Sequence, residues 1–136
     1  MPILRERGGT AIVEFAILLP VILSMLVGLL SFGMYFGAAH SVQQLAADAA
    51  RRSVAATNDT GRREIVTAYI ADNAHGYFLI QPDRLTESSV SAEASGQIRV
   101  RIGYDASWLP VFAFARLVPL PPSTIQRDCV ILVGGL

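Results

Sequence analysis

Glu14 is a lone carboxylate at the head of a long apolar run, and no charged residue follows it until Asp48. The segment Thr10-Ala11-Ile12-Val13-Glu14-Phe15 is otherwise almost continuously hydrophobic. An acidic side chain in a spanning helix costs about 2.5–3.5 kcal/mol at the bilayer centre and less near an end, so it calls for a partner. A cut after Gly9 would create an α-amino group on Thr10, four residues before Glu14 and on the same helical face. Ammonium and carboxylate would then neutralise each other, within one chain or between neighbours. The plain alternative is a Glu14 that sits solvated at the headgroup level.

Other reactive side chains are few. His40 has no Cys or carboxylate at ligand spacing, and His75 has only Asp72, in a polar cluster with Asn73 where a helix end would place polar residues anyway. The single cysteine, Cys129, excludes an intramolecular disulfide framework and a multi-thiolate metal site. No phosphate-cradling glycine loop, H-E-x-x-H, Cys pair or G-x-S-x-G occurs. These absences point away from an enzyme and predict no cofactor and no metal. Lys plus Arg and Asp plus Glu both number 11, so the chain lacks the basic footprint that nucleic-acid binding needs.

The elements that position Glu14 follow from composition. Hydrophobic residues make up 52% of the 136 and charged residues only 16%, against roughly a quarter charged in soluble domains. The excess is concentrated in residues 15 to 36, FAILLPVILSMLVGLLSFGMYF, enough for the roughly 20 residues a spanning helix needs. The expected layout is a cytoplasmic leader at 1–9, a transmembrane helix at 10–36 and an extracytoplasmic part at 37–136. Arg5 and Arg7 against Glu6 give the leader a small positive bias that favours the cytoplasmic side, although Arg51 and Arg52 lie near the limit of that influence on the other flank. A secretory signal is a competing interpretation. Its apolar region runs about 7–15 residues, shorter than this one, but Gly37-Ala38-Ala39 can serve as a cleavage site before His40. An uncleaved signal anchor is a third.

Pro20 removes a backbone donor and clashes with the carbonyl four residues back, so a kink or loosening near Ala16 is expected. Ser24 and Gly28, then Gly33, Gly37 and Ser41, are small residues spaced by four, which lets another helix approach closely. Beyond the span, Val42, Leu45, Ala46 and Ala49 recur at helical spacing, so the first helix should continue as an amphipathic stalk to about Ala56. Asn58-Asp59-Thr60-Gly61 predicts a cap for a second short helix whose apolar stripe is Ile65, Val66, Tyr69 and Ile70, ending near His75-Gly76. Arg51-Arg52 and Arg62-Arg63 flank the intervening turn and read as a solvated face, the alternative being contact with lipid headgroups or an acidic partner.

From Thr86 the period becomes two. Val90, Ala92 and Ala94, then a turn at Ser95-Gly96-Gln97, then Ile98, Val100, Ile102 and Tyr104 predict a hairpin with Glu93 near Arg99 or Arg101. Thr124 to Val133 reads as a third strand with Cys129 buried. The apolar, proline-bounded stretch from Trp108 to Pro122 is either a short core-covering helix with an extended connector or an exposed patch that docks a partner or lies on the membrane. The fold class is therefore α+β: a long helix, a short one and a small antiparallel sheet of about three strands.

With Arg7-Gly8-Gly9, then Thr10-Ala11-Ile12-Val13-Glu14-Phe15, then an apolar helix with Pro20 early in it, the N-terminus resembles that of a type IV prepilin. More narrowly it is similar to the TadE-like family of minor pilins, or pseudopilins, of the tight-adherence (Flp) pilus system. The resemblance covers about residues 7–37; beyond them only the pilin-like layout is shared. It implies that a prepilin peptidase, a membrane aspartyl enzyme, cuts after Gly9, and that Glu14, fifth beyond the cut and followed by the aromatic Phe15, serves assembly. It further implies residence in a bacterial inner membrane, with other pilins and Tad assembly proteins as partners. The competing function is an uncleaved single-pass envelope protein whose outer domain binds a partner.

Overall fold

The computed structural model describes residues 7–93 and 96–133. Arg5 and Glu6 of the leader, and Ala94 and Ser95 of the expected turn, lie outside the described residues. Helix α1 is Arg7–Ser53, 47 residues or about 70 Å at 1.5 Å per residue. Helix α2 is Asp59–Asn73, and three strands follow: β1 Leu85–Glu93, β2 Gln97–Asp105 and β3 Thr124–Leu132. Short 3-10 turns occupy Ala74–Gly76, Pro82–Arg84 and Pro110–Phe114. The expected α+β architecture is the observed one.

α1 runs through Pro20 without a break in its helical assignment. At its other end it stops three residues earlier than periodicity suggested. The Ser53 hydroxyl donates to the Ala50 carbonyl at 2.7 Å, and the amides of Val54, Ala55 and Ala56 turn back to carbonyls three residues earlier. This tightened winding is how helix ends often satisfy orphan carbonyls. α2 begins where the cap signal placed it: the Asn58 side chain accepts from Gly61 N–H at 2.7 Å.

The sheet is antiparallel in the order β1-β2-β3, so β2 is central and two edges are left. The inward residues of β2, Ile98, Val100, Ile102 and Tyr104, are all buried, as the alternation required. They pack with Val42, Leu45, Ala46 and Ala49 of α1, with Val66 and Ile70 of α2, and with Ile125 of β3. Cys129 faces Val100 across the β2 and β3 pairing but is only half-buried, because β3 is an edge strand. The thiol expected to be buried therefore packs against the core from one side only.

Two backbone positions are closely fitted, one within the sheet and one in the loop before it. Gly103 sits opposite a register shift between Leu85 and Glu87, where a Cβ would lie 2.6 Å from Thr86 Oγ1. Leu79 holds a left-handed φ of 60°, uncommon for a non-glycine residue. Its carbonyl accepts from the buried Tyr104 hydroxyl at 2.9 Å, and that oxygen in turn accepts from Trp108 Nε1 at 2.9 Å and Gln81 N–H at 3.3 Å. One phenol thus ties β2 to two loops.

Candidate functional site

The region that could meet a membrane or another helix is the N-terminal half of α1. From residue 9 to residue 30 every side chain is exposed, save that Gly28 is half-covered, and the first buried residue is Ser31. This stretch is about 33 Å long at helical rise, close to the roughly 30 Å hydrocarbon core of a bilayer. α1 is the one helix among the described residues long and apolar enough to cross a membrane. Ile12, Phe15, Ile17, Met25, Leu29 and Leu30 all point outward, an arrangement with a large hydrophobic cost in water and none in lipid.

Glu14 stands on this exposed surface and makes no hydrogen bond or ion pair with the described residues. Gly9 and Thr10 are exposed on the same helix, with nothing near Gly9 that a Cβ would meet. Thr10 and Glu14 lie one turn apart on α1, the relation that lets an ammonium on one neutralise the other. Phe15 is exposed beside them. Ser24 donates to the Pro20 carbonyl at 2.7 Å and Ser31 to the Val27 carbonyl at 2.6 Å, so both hydroxyls are satisfied inside the helix.

The small residues of α1 divide in the structure. Gly28 and Gly33 have open space where a Cβ would be, whereas Gly37 lies under the ring of Phe78, whose Cε1 would be 3.2 Å from a Cβ there. Ser41 is buried in the domain. Gly37 and Ser41 therefore serve packing within the chain. Gly33 remains open to a second helix, whereas Gly28 is half-covered and faces Phe114, Leu117 and Val118 across a groove.

The chain outside α1's exposed half carries polar connections that periodicity did not reveal. The Tyr77 hydroxyl donates to Asp48 Oδ2 at 2.8 Å and so accepts from the Tyr69 hydroxyl, also at 2.8 Å. Arg51 holds the other oxygen of Asp48 at 2.7 Å, and the Arg52 guanidinium lies over the Tyr69 ring at 4.8 Å. Burial, then the contacts with Tyr69 and Asp48, pushes the Tyr77 phenol well above the ordinary tyrosine range. This knot joins α1, α2 and the turn after it. Its signal in sequence, two tyrosines eight apart, carries no period that would mark them as partners.

The charged pairs elsewhere are structural. Arg99 bonds Glu93 at 2.8 Å, as anticipated, and also Asp128 on β3. Both acids, Glu93 first, hold the guanidinium above its usual value. Arg62 is held by Asp59 at 2.7 Å and is half-buried, while Arg51, Arg52 and Arg63 are exposed. His40 and His75 are exposed, and among the described residues no three His, Cys, Asp or Glu side chains gather to hold a metal.

Comparison with known proteins bears on the same region. Residues 9–51 match the family model described as TadE-like protein. No curated protein and no solved structure matches the chain.

Proposed function

We propose that this chain, a Tad pilus-associated protein by its TadE-like segment at residues 9–51, is a minor pilin cut by a prepilin peptidase after Gly9. The observation that carries this reading is the outward-facing apolar half of α1, with Glu14 as its only charge, lying inside the matched segment. In this reading residues 1–9 are the cytoplasmic leader, the following apolar stretch spans the inner membrane, and the α+β domain lies outside. The matched segment ends near the end of α1, so the domain beyond it adds no family evidence of its own.

The mechanism follows from the cost of a carboxylate in lipid. After the cut, the new α-amino group of one subunit pairs Glu14, its own or a neighbour's, and the helices associate through the open face at Gly33. An unprocessed or misaligned subunit leaves the carboxylate unpaired, and breaking such a pair is strongly unfavourable. Other pilins and Tad assembly proteins are the partners, and nucleic acid has no role.

The test is the N-terminal residue and intact mass of the protein recovered from membranes with and without the peptidase. A start at Thr10 that disappears without the peptidase is expected. A retained leader would instead support an uncleaved anchor for a partner-binding domain, and a start at His40 a secreted domain. Glu14→Ala should insert normally and lose fibre assembly, measured by counting pili; normal piliation would overturn the pairing mechanism.

A further inference from the structure

The stretch between β2 and β3 splits between two environments. Leu109 and Val111 are buried in the core, and Phe112 packs against Tyr35, whose hydroxyl donates to the Pro122 carbonyl at 3.0 Å. The next turn leaves the core: Leu117 is 81% exposed and Val118 44%. Phe114, Leu117 and Val118 form one wall of a groove of about 440 Å³ whose other wall is α1 at Val21, Ser24, Met25, Gly28 and Phe32. Four of these α1 residues belong to its outward-facing half, and Phe32, just past the first buried residue, closes the groove against the core. The loop therefore does not cap the domain but runs back along the helix, past the first buried residue.

The turn at 112–118 meets part of its own backbone needs, which suits the boundary between hydrocarbon and headgroups. Leu117 and Val118 N–H both donate to the Phe114 carbonyl, at 2.9 and 3.2 Å, Ala115 N–H donates to Phe112, and Phe112 N–H to Leu109. Pro110, Pro119, Pro121 and Pro122 have no N–H to satisfy. A segment entering hydrocarbon must meet its own backbone needs, whereas a loop in water has no such constraint. Arg116 is the sole charge between Asp105 and Arg127, is exposed, and makes no bond with the described residues. An arginine with an apolar neighbourhood places its stem in the apolar layer and its guanidinium at phosphate level.

From these observations, and resting on α1 being a membrane span, we infer that the 112–120 loop is a second membrane element: it lies at the leaflet interface beside α1 with the Leu117 and Val118 side chains inserted, lipid acyl chains fill the groove, and Arg116 binds lipid phosphate. The domain is then held at two points and cannot pivot freely about the helix. Lipid is favoured over a neighbouring subunit because the groove is continuous with the lipid-facing surface of α1 and its one nearby charge is unmatched.

The full chain with Cys129→Ser is placed in phosphatidylcholine vesicles containing phosphatidylglycerol, with an environment-sensitive fluorophore on Leu117→Cys, Met25→Cys or Ser89→Cys. Val118→Cys is the second loop position, should Leu117→Cys fold poorly. Quenching by acyl-chain nitroxide lipid is compared with quenching by aqueous iodide. The loop label should follow residue 25, quenched by lipid and spared by iodide, while residue 89 does the reverse. A loop label open to iodide while residue 25 is spared would overturn the loop insertion alone; iodide access at both would overturn the span itself. Shielding from both quenchers would show a subunit in the groove and overturn lipid occupancy. Arg116→Glu should reduce lipid quenching at residue 117 in the anionic vesicles, and no reduction would overturn its binding to phosphate.

Discussion

The two halves of α1 are both apolar, yet they use apolar side chains in opposite ways. Residues 9–30 present isoleucine, leucine, valine and phenylalanine outward. Residues 31–53 bury a stripe made largely of alanine: Ala38, Ala39, Ala46, Ala49 and Ala50, with Val42 and Leu45 among them. In a water-soluble protein the larger side chains would be inside. Here they are outside because no layer faces them, and the small ones are inside because the sheet must approach the helix closely to pack at crystal-like density. Burial thus depends on what lies opposite a residue, and hydrophobicity alone does not predict it.

Truncations in the two halves give the largest contrast. Leu45→Ala, in the fully buried stripe, should destabilise the domain by about 2–5 kcal/mol. Leu18→Ala, on the outward half, should change domain stability by under about 0.5 kcal/mol. Denaturant unfolding in detergent, followed by Trp108 fluorescence, checks both, and equal effects would break the comparison. Gly103→Ala tests how closely β1 and β2 are fitted: the new methyl meets Thr86 Oγ1, and the same assay should show a loss of about 1–3 kcal/mol.

Tyr77→Phe removes the hydroxyl between Asp48 and Tyr69. It should cost about 1–2 kcal/mol because Asp48 Oδ2 and the Tyr69 hydroxyl lose their partner while Arg51 still holds Oδ1, with no effect on membrane insertion. The smallest effect concerns acid. Asp105 is held below the ordinary carboxylate value, first by the Ser107 N–H and then by Arg84. A depressed folded value means that its contribution is present above the unfolded value of about 3.9 and is lost as pH falls through the folded one. Asp105→Asn should therefore flatten the acid limb of a stability-against-pH curve and leave the outward half of α1 untouched.

The elements legible from the chain were those with a local cause. The α2 cap came from Asn58 and Gly61, and the inward face of β2 came from strict alternation between Ile98 and Tyr104. The stalk's buried face came from the spacing of Val42, Leu45, Ala46 and Ala49, all of which are in the core. The pair of Glu93 with Arg99 was also visible, since a hairpin brings nearby residues together. What escaped was the third member, Asp128, because it reaches Arg99 only through the pairing of β2 with β3, 29 residues away. The Tyr77 knot escaped for the same reason.

The sequence by itself determined that a long helix carries a 22-residue charge-free apolar run, that one carboxylate stands at its head, and that a small α+β domain follows, because these depend on composition and period. Only the tertiary structure decided where along α1 lipid-like exposure gives way to packing, at Ser31. It alone decided that Gly37 belongs to Phe78 rather than to another helix, and that the Trp108 to Pro122 stretch divides between core and groove. Those outcomes depend on which surfaces the folded chain brings face to face, and no local pattern of apolar residues encodes that.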